Sequence, residues 1–323
     1  MFKTISLAVA AIVLAGASAA NAQEKVWKHG ILEAKSDAGY IAMVDKGGFG
    51  AKHGLKVELT QIKAGSTLMK ALIAGEIDSV DMGAAESIVA GAHGTGVKIV
   101  GCTWPGLPQV LLAKDTIKTP QGLRGKNVAI SSPGSLPDLL FRGMLENQGL
   151  SAADVHFVTQ GADTDRYRSL VAGITDAALV SNEFEMIMPS NIKVLMKAST
   201  AVPKFIRLCI ATNKEVLANR RDDLVRFVAA EMDAYKYALA HRDETVKIAH
   251  EMTHAKPDDK RADFIADQVA KDKLIDPTLA IPTDRIEWMQ QLFVKAGTIK
   301  APVPVASLID TSVREDAAKQ AGK

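Results

Sequence analysis

Ala71-Leu72-Ile73-Ala74-Gly75-Glu76-Ile77-Asp78 and, further along, Leu170-Val171-Ala172-Gly173-Ile174-Thr175-Asp176-Ala177-Ala178 are the two stretches that decide the fold. Each begins as a helix with an apolar face. Each reaches a glycine, which can take the left-handed conformation that ends a helix. An acid then precedes a short apolar run with the character of a buried strand. A helix that stops on Gly-x-x-Asp before a strand, written twice, is the punctuation of a chain that alternates β and α.

Reading outward, the alternation holds on both sides. Strands are predicted at 26–31, 55–61, 79–82 and 97–102, with helices at 39–47, 67–74 and 84–92 between them, and Ser66 stands where the cap of the second helix belongs. Trp104-Pro105-Gly106-Leu107-Pro108 cannot continue a helix or a strand, so the chain turns or crosses there. A second series follows, with strands at 126–130, 155–159 and 177–180 and helices at 137–148 and 165–172. One more strand is predicted at 205–212. From Lys214 onward the pattern is helical, with Leu224, Val228, Met232, Tyr235 and Leu239 forming one apolar stripe.

The first 22 residues read as a secretory leader. Lys3 supplies the positive start, residues 5–17 carry no charge, and Ala20-Asn21-Ala22 offers small residues at a cleavage site. The apolar run is shorter than the ~20 residues a membrane helix needs. No cysteine lies near the cleavage point for a lipid anchor. Without Lys3 the chain has 38 basic and 37 acidic side chains. That balance excludes a nucleic-acid binder built on a basic surface. Cys102 and Cys209 are the only cysteines, and an exported even pair invites a disulfide. A body of this size does not need a staple, so two buried thiols acting as small hydrophobes is the preferred reading.

Those phrases, with Gly54-Leu55-Lys56-Val57-Glu58 and Leu123-Arg124-Gly125-Lys126-Asn127-Val128-Ala129, resemble the periplasmic solute-binding proteins of nitrate, sulfonate, taurine and thiamine-pyrimidine importers. The resemblance covers about 31–184 and thins out in the helical tail. It implies an α/β fold of two Rossmann-like lobes, the type II periplasmic binding plan, joined by a two-segment hinge with the ligand between them. Lobe I would take 23–107 and 207–323, the helical tail included, and lobe II 108–206. The crossings would lie near 104–112 and 204–210. That puts both cysteines near the hinge, which strengthens the case for pairing without reversing the preference for thiols.

In such folds the ligand meets loops at the carboxyl ends of strands, where helix N-termini present free N–H groups. The loops here are 32–38, 63–67, 83–87, 131–135, 160–165 and 181–184. From them the expected ligand contacts are Ser36, Asp37, Gly65, Ser66, Thr67, Ala84, Glu86, Ser131, Ser132, Gly134, Ser135, Asp163, Asn182 and Glu183, with Trp104 as a stacking ring. Gly65-Ser66-Thr67 and Gly134-Ser135 suit a sulfonate, phosphate or carboxylate. Asp37, Glu86, Asp163 and Glu183 argue the other way, against only Lys35 and Lys63, and favour a solute with N–H donors or a positive group.

The sequence also contains a rival motif. His250-Glu251-Met252-Thr253-His254 spells H-E-x-x-H, the zinc-peptidase signature. No histidine follows it, and Pro257 ends the helix soon after, so a solvated helix face in the tail is the preferred reading. An enzyme on the same two-lobed fold is the other alternative, but no catalytic constellation falls on the loops. The resemblance implies a monomeric receptor of a Gram-negative periplasm, with no cofactor and no bound metal. It would carry a small polar organic solute to an ABC permease at the inner membrane.

Overall fold

The computed structural model describes residues 25–322, and the leader expected at 1–22 lies outside them. Among the described residues, ten strands form two five-stranded sheets. The first contains β1 (Lys25–Leu32), β2 (Leu55–Ile62), β3 (Ser79–Gly83), β4 (Lys98–Trp104) and β10 (Leu208–Thr212), in the order β2-β1-β3-β10-β4. The second contains β5 (Gln109–Lys114), β6 (Asn127–Ile130), β7 (His156–Thr159), β8 (Ala177–Ser181) and β9 (Ile192–Lys197), in the order β7-β6-β8-β5-β9. Both follow one plan. Three parallel strands are flanked by an antiparallel one, β10 or β5, that arrives from the other lobe.

The two Gly-x-x-Asp phrases do equivalent jobs in the two lobes. Gly75 and Gly173 both have φ 75°, where a side chain would be strained. Three residues on, the Asp78 carboxylate accepts the N–H of Lys28 at 2.8 Å, and Asp176 accepts that of Asn127 at 3.0 Å. Each acid therefore pins the neighbouring parallel strand just before its pairing with β3 or β8 begins. Arg220 then pairs with Asp78, and Lys114 with Asp176, each at 2.7 Å.

The chain crosses between lobes at 105–108 and again at 198–207. The crossings leave from paired strands, β4 beside β10 in the first sheet and β5 beside β9 in the second. Arg285, on the helix Thr283–Lys295, ties them together: its guanidinium donates to Pro105 O (2.6 Å) on one crossing and to Phe205 O (2.7 Å) and Lys204 O (3.1 Å) on the other. The same helix sends Ile286, Met289 and Phe293 into a core shared with Ile88 of the first lobe and Leu139 of the second. A separate core in lobe I gathers Trp27, Met43, Leu55 and Phe227 around the helix Arg221–Ala240.

Three expectations need correction. Cys102 and Cys209 are joined by a disulfide, not left as buried thiols, because β4 and β10 are neighbours in the sheet. The helix after β2 starts at Gly65 with Ala64 in the extended cap conformation, so Ser66 is an exposed first-turn residue and not the cap. The helix predicted at 39–47 is broken into short turns, Ala38–Ile41, Met43–Lys46 and Phe49–Lys52.

Candidate functional site

The loops at the carboxyl ends of the parallel strands face one another across a cleft of about 540 Å³. Lobe I contributes the segment after β1, then Gly65 after β2, and Asp81, Gly83 and Glu86 at the end of β3. Lobe II contributes Gln109, Ser131, Ser135, Asp163, Arg166 and Glu183, while Arg207 and Leu208 enter from the second crossing. A third wall comes from the tail, where His250, Thr253, His254, Asp259 and Arg261 lie along the turn between the helices Arg242–Thr253 and Arg261–Asp272.

Of the residues expected from sequence, Ser36, Asp37, Gly65, Glu86, Ser131, Ser135, Asp163 and Glu183 line this cleft. The others lie elsewhere. Ser66 and Thr67 are exposed, and Ala84 is buried with its N–H on Arg207 O at 3.0 Å. The Ser132 carbonyl accepts the Ser135 hydroxyl (2.6 Å), and Gly134 donates its N–H to Asp138 (2.8 Å). Asn182 is buried, with its N–H on Pro108 O. Trp104 is buried beneath the cleft floor, edge-on to Tyr40, with the Arg207 guanidinium 4.2 Å above its ring.

Charge in the cleft is tightly matched in places. Arg207 and Asp37 form a buried ion pair, and Arg166 pairs with Asp163 while donating to Leu179 O at 2.7 Å. Lys35 reaches across from lobe I to Asp163 at 2.8 Å. Burial pushes Asp37 upward, but Arg207 and Lys35 together outweigh it and hold its carboxyl below the usual range. Burial lowers Arg166 to about 9, so it stays charged at neutral pH.

Asp81 forms part of the floor, where it accepts from the Tyr235 hydroxyl (2.8 Å) and the Thr103 hydroxyl (3.0 Å). Burial raises it to about 6 despite those bonds. Between the ordinary value of 3.8 and about 6 the folded form therefore holds a proton that the unfolded chain has lost. Ionisation then costs the fold about 2 to 3 kcal/mol as pH rises through that window. His29, buried nearby on β1 and lowered to about 3, gives the opposite slope, its stabilisation being lost as pH falls from 6.5. The two offset each other in the native protein. Asp81→Asn removes one side of that balance and is expected to make stability fall more steeply on acidification from pH 6.5 to 4, measured by urea unfolding.

Sequence reading missed Arg166, Arg207, Asp81 and the whole tail wall. Arg207 and Asp81 did leave a signal: each is a lone charge in an apolar strand-like run at a predicted lobe junction or strand. His250 and Arg261 left none of that kind, since they lie on helices that read as cover. His250, Met252, Thr253 and His254 of the H-E-x-x-H motif turn out to border the cleft, whereas Glu251 is exposed outside it. The helix ends at Thr253, however, and His254 sits beyond it with φ 51°, off the helical face that a paired-imidazole site requires. No group of three or more potential metal ligands occurs among the described residues.

The model of the NMT1/THI5-like family matches residues 36–245. The chain belongs to that family. No curated protein matches it significantly by sequence. Among solved structures, this NMT1/THI5-like chain is similar to the periplasmic aliphatic sulphonate binding protein of Escherichia coli, with TM-score 0.70, 19% identity, 89% of this chain and 92% of that one. It is also similar to the periplasmic nitrate-binding protein of Synechocystis, with TM-score 0.75, 14% identity, 92% of this chain and 89% of that one. A ligand-binding component of an ABC-type import system from Staphylococcus aureus gives TM-score 0.72 at 16% identity, over 91% and 99% of the two chains. At such identities the likeness establishes the two-lobed periplasmic binding fold. The NMT1/THI5-like match covers both walls of the cleft except residues 31–35, at the end of β1 and just after it, and does not reach the tail wall.

Proposed function

We propose that this chain is the substrate-binding subunit of an ABC importer, acting in the periplasm as a monomer and delivering a small polar organic solute to a permease in the inner membrane. The observation that carries the reading is a cleft crossed by polar contacts from both lobes. Lys35 meets Asp163 at 2.8 Å, and Glu86 accepts the N–H of Leu136 at 2.9 Å. These are contacts that a hinge motion makes and breaks, and two paired crossing strands are a suitable pivot. Affinity would come from desolvating the solute while the loops satisfy its polar atoms. The sulphonate binding, nitrate binding and ABC import of the structural relatives point the same way.

The site is read as binding and not catalysis. The binding roles of the structural relatives support that reading. Thermal unfolding of residues 23–323 against a panel of small organic solutes tests the proposal. A true ligand at a hundred times its Kd is expected to add about 2.7 kcal/mol of stability and to shrink the radius of gyration in solution scattering. Turnover of a bound solute, or stabilisation with no change in radius, would overturn it.

A further inference from the structure

The pivot between the lobes is gripped from outside the cleft by the helical tail. Arg285 donates to carbonyls of both crossings, Pro105 on the first and Lys204 and Phe205 on the second. One turn further along the same helix, Met289 Sδ accepts the Ile206 N–H at 3.3 Å. The first crossing is held a second time by the segment that leads into this helix, where Gly106 donates to Leu274 O at 3.1 Å. A Cβ on Gly106 would lie 2.8 Å from Leu274 Cα, so the two backbones meet only because the residue is glycine.

The far end of the helix Thr283–Lys295 is fixed to both lobes. On lobe II it lies against the helix Leu136–Glu146, where a Cβ on Gly143 would be 2.9 Å from Leu292 Cδ2, and Lys295 pairs with Glu146. On lobe I the His93 ring, at the end of the helix Ala84–Ala92, donates to Thr298 O at 3.1 Å, just beyond the tail helix. One helix therefore touches both crossings and both lobes, and a rotation of one lobe against the other cannot leave all of these contacts intact. None of its residues lines the cleft, and it lies beyond residue 245, where the family match ends.

We propose that the helix Thr283–Lys295 sets the balance between open and closed lobes from outside the cleft, with Arg285 as the positioning residue that holds the two crossings at the closed angle. The angle held here is a closed one, since Lys35 of lobe I meets Asp163 of lobe II. Affinity for any solute then scales with the closed fraction that Arg285 maintains, although Arg285 never touches the solute. This inference rests on the receptor reading above.

Lobe separation in the ligand-free protein tests it, by electron spin resonance on residues 23–323 with labels at Thr67→Cys and Asp165→Cys. Both positions are exposed beside cleft loops, one in each lobe, and the native cysteines are joined to each other and take no label. One short separation is expected in the labelled protein. Arg285→Ala is expected to lower the ratio of short to long separations roughly tenfold or more, because charge-assisted hydrogen bonds to both crossings are lost. Arg285→Lys lacks the fork that serves both crossings, so it is expected to shift the ratio the same way with less loss of stability in urea. It also keeps the test readable should the alanine variant not fold. Val57→Ala lies in the lobe I core on the far edge strand of the sheet, and is expected to lower stability while leaving the separation unchanged. If both Arg285 variants keep the native separation, or Val57→Ala shifts it as much, the inference falls. The receptor reading would then still stand, since it is judged by contraction on adding solute.

Discussion

Arg207→Ala is expected to destabilise the protein by about 3 to 5 kcal/mol at neutral pH, the cost of leaving one member of a buried ion pair without the other. Arg207 and Asp37 are 3% and 5% exposed. The guanidinium lies between the Trp104 ring and the Asp37 carboxylate, so its loss removes a cation–π contact and the largest pull on that acid. The pH dependence identifies the cause. In the native protein Asp37 is held below its ordinary value, so it adds stability above that range and loses it as pH falls. In the variant burial dominates and the carboxyl is raised, so protonation relieves the buried charge. The stability gap between native and variant protein is therefore expected to narrow as pH falls from 7 to about 4.5, by urea unfolding at each pH. An equal gap at both pH values would show that lost packing, not the orphaned carboxylate, sets the cost. Ligand capture should be lost at every pH, since Arg207 lines the cleft and holds the Asp37 carboxylate in place there.

The same residue shows what the sequence could and could not convey. The two lobes are legible because their marks are local: a glycine that stops a helix and an acid three residues later that ties down the next strand. The cleft loops are legible because they follow from where parallel strands end. The partners of the cleft residues are not. Arg207 reaches Asp37 across 170 residues and Lys35 reaches Asp163 across 128, and no periodicity encodes such pairings. β9 was missed for a related reason. It is an edge strand with only Ile192 and Met196 buried, so its alternation is weak. The tail wall was invisible because amphipathic helices that cover a lobe and helices that border a cleft have the same pattern. Serines at helix starts were over-read, since Ala64 serves as cap where Ser66 was expected to.

Removing the disulfide is the other change expected to have a large effect. Whether a domain of this size needs a staple is a question about composition. Whether two cysteines pair is a question about neighbours, and β10 returns from lobe II to lie beside β4. Cys102 and Cys209 are 107 residues apart, and the loop they close contains the whole second sheet. A cross-link over a loop of that length restricts the unfolded chain by about 3 to 4 kcal/mol, allowing for a shortfall from the ideal value. The Cys102→Ala/Cys209→Ala double variant is expected to lose that amount in global urea unfolding, and treatment of the native protein with dithiothreitol should approach the same midpoint. The bond also sits two residues from Trp104 on β4 and two from Arg207 on the second crossing. It thereby fixes the strand pair that carries the cleft's buried cation at the base of the hinge. Ligand affinity should accordingly fall along with stability in the double variant. Reduced stability with unchanged affinity would mean that Arg285 and the shared core hold the pivot unaided, and an unchanged midpoint would mean that the crossing strands are already fixed in the unfolded ensemble.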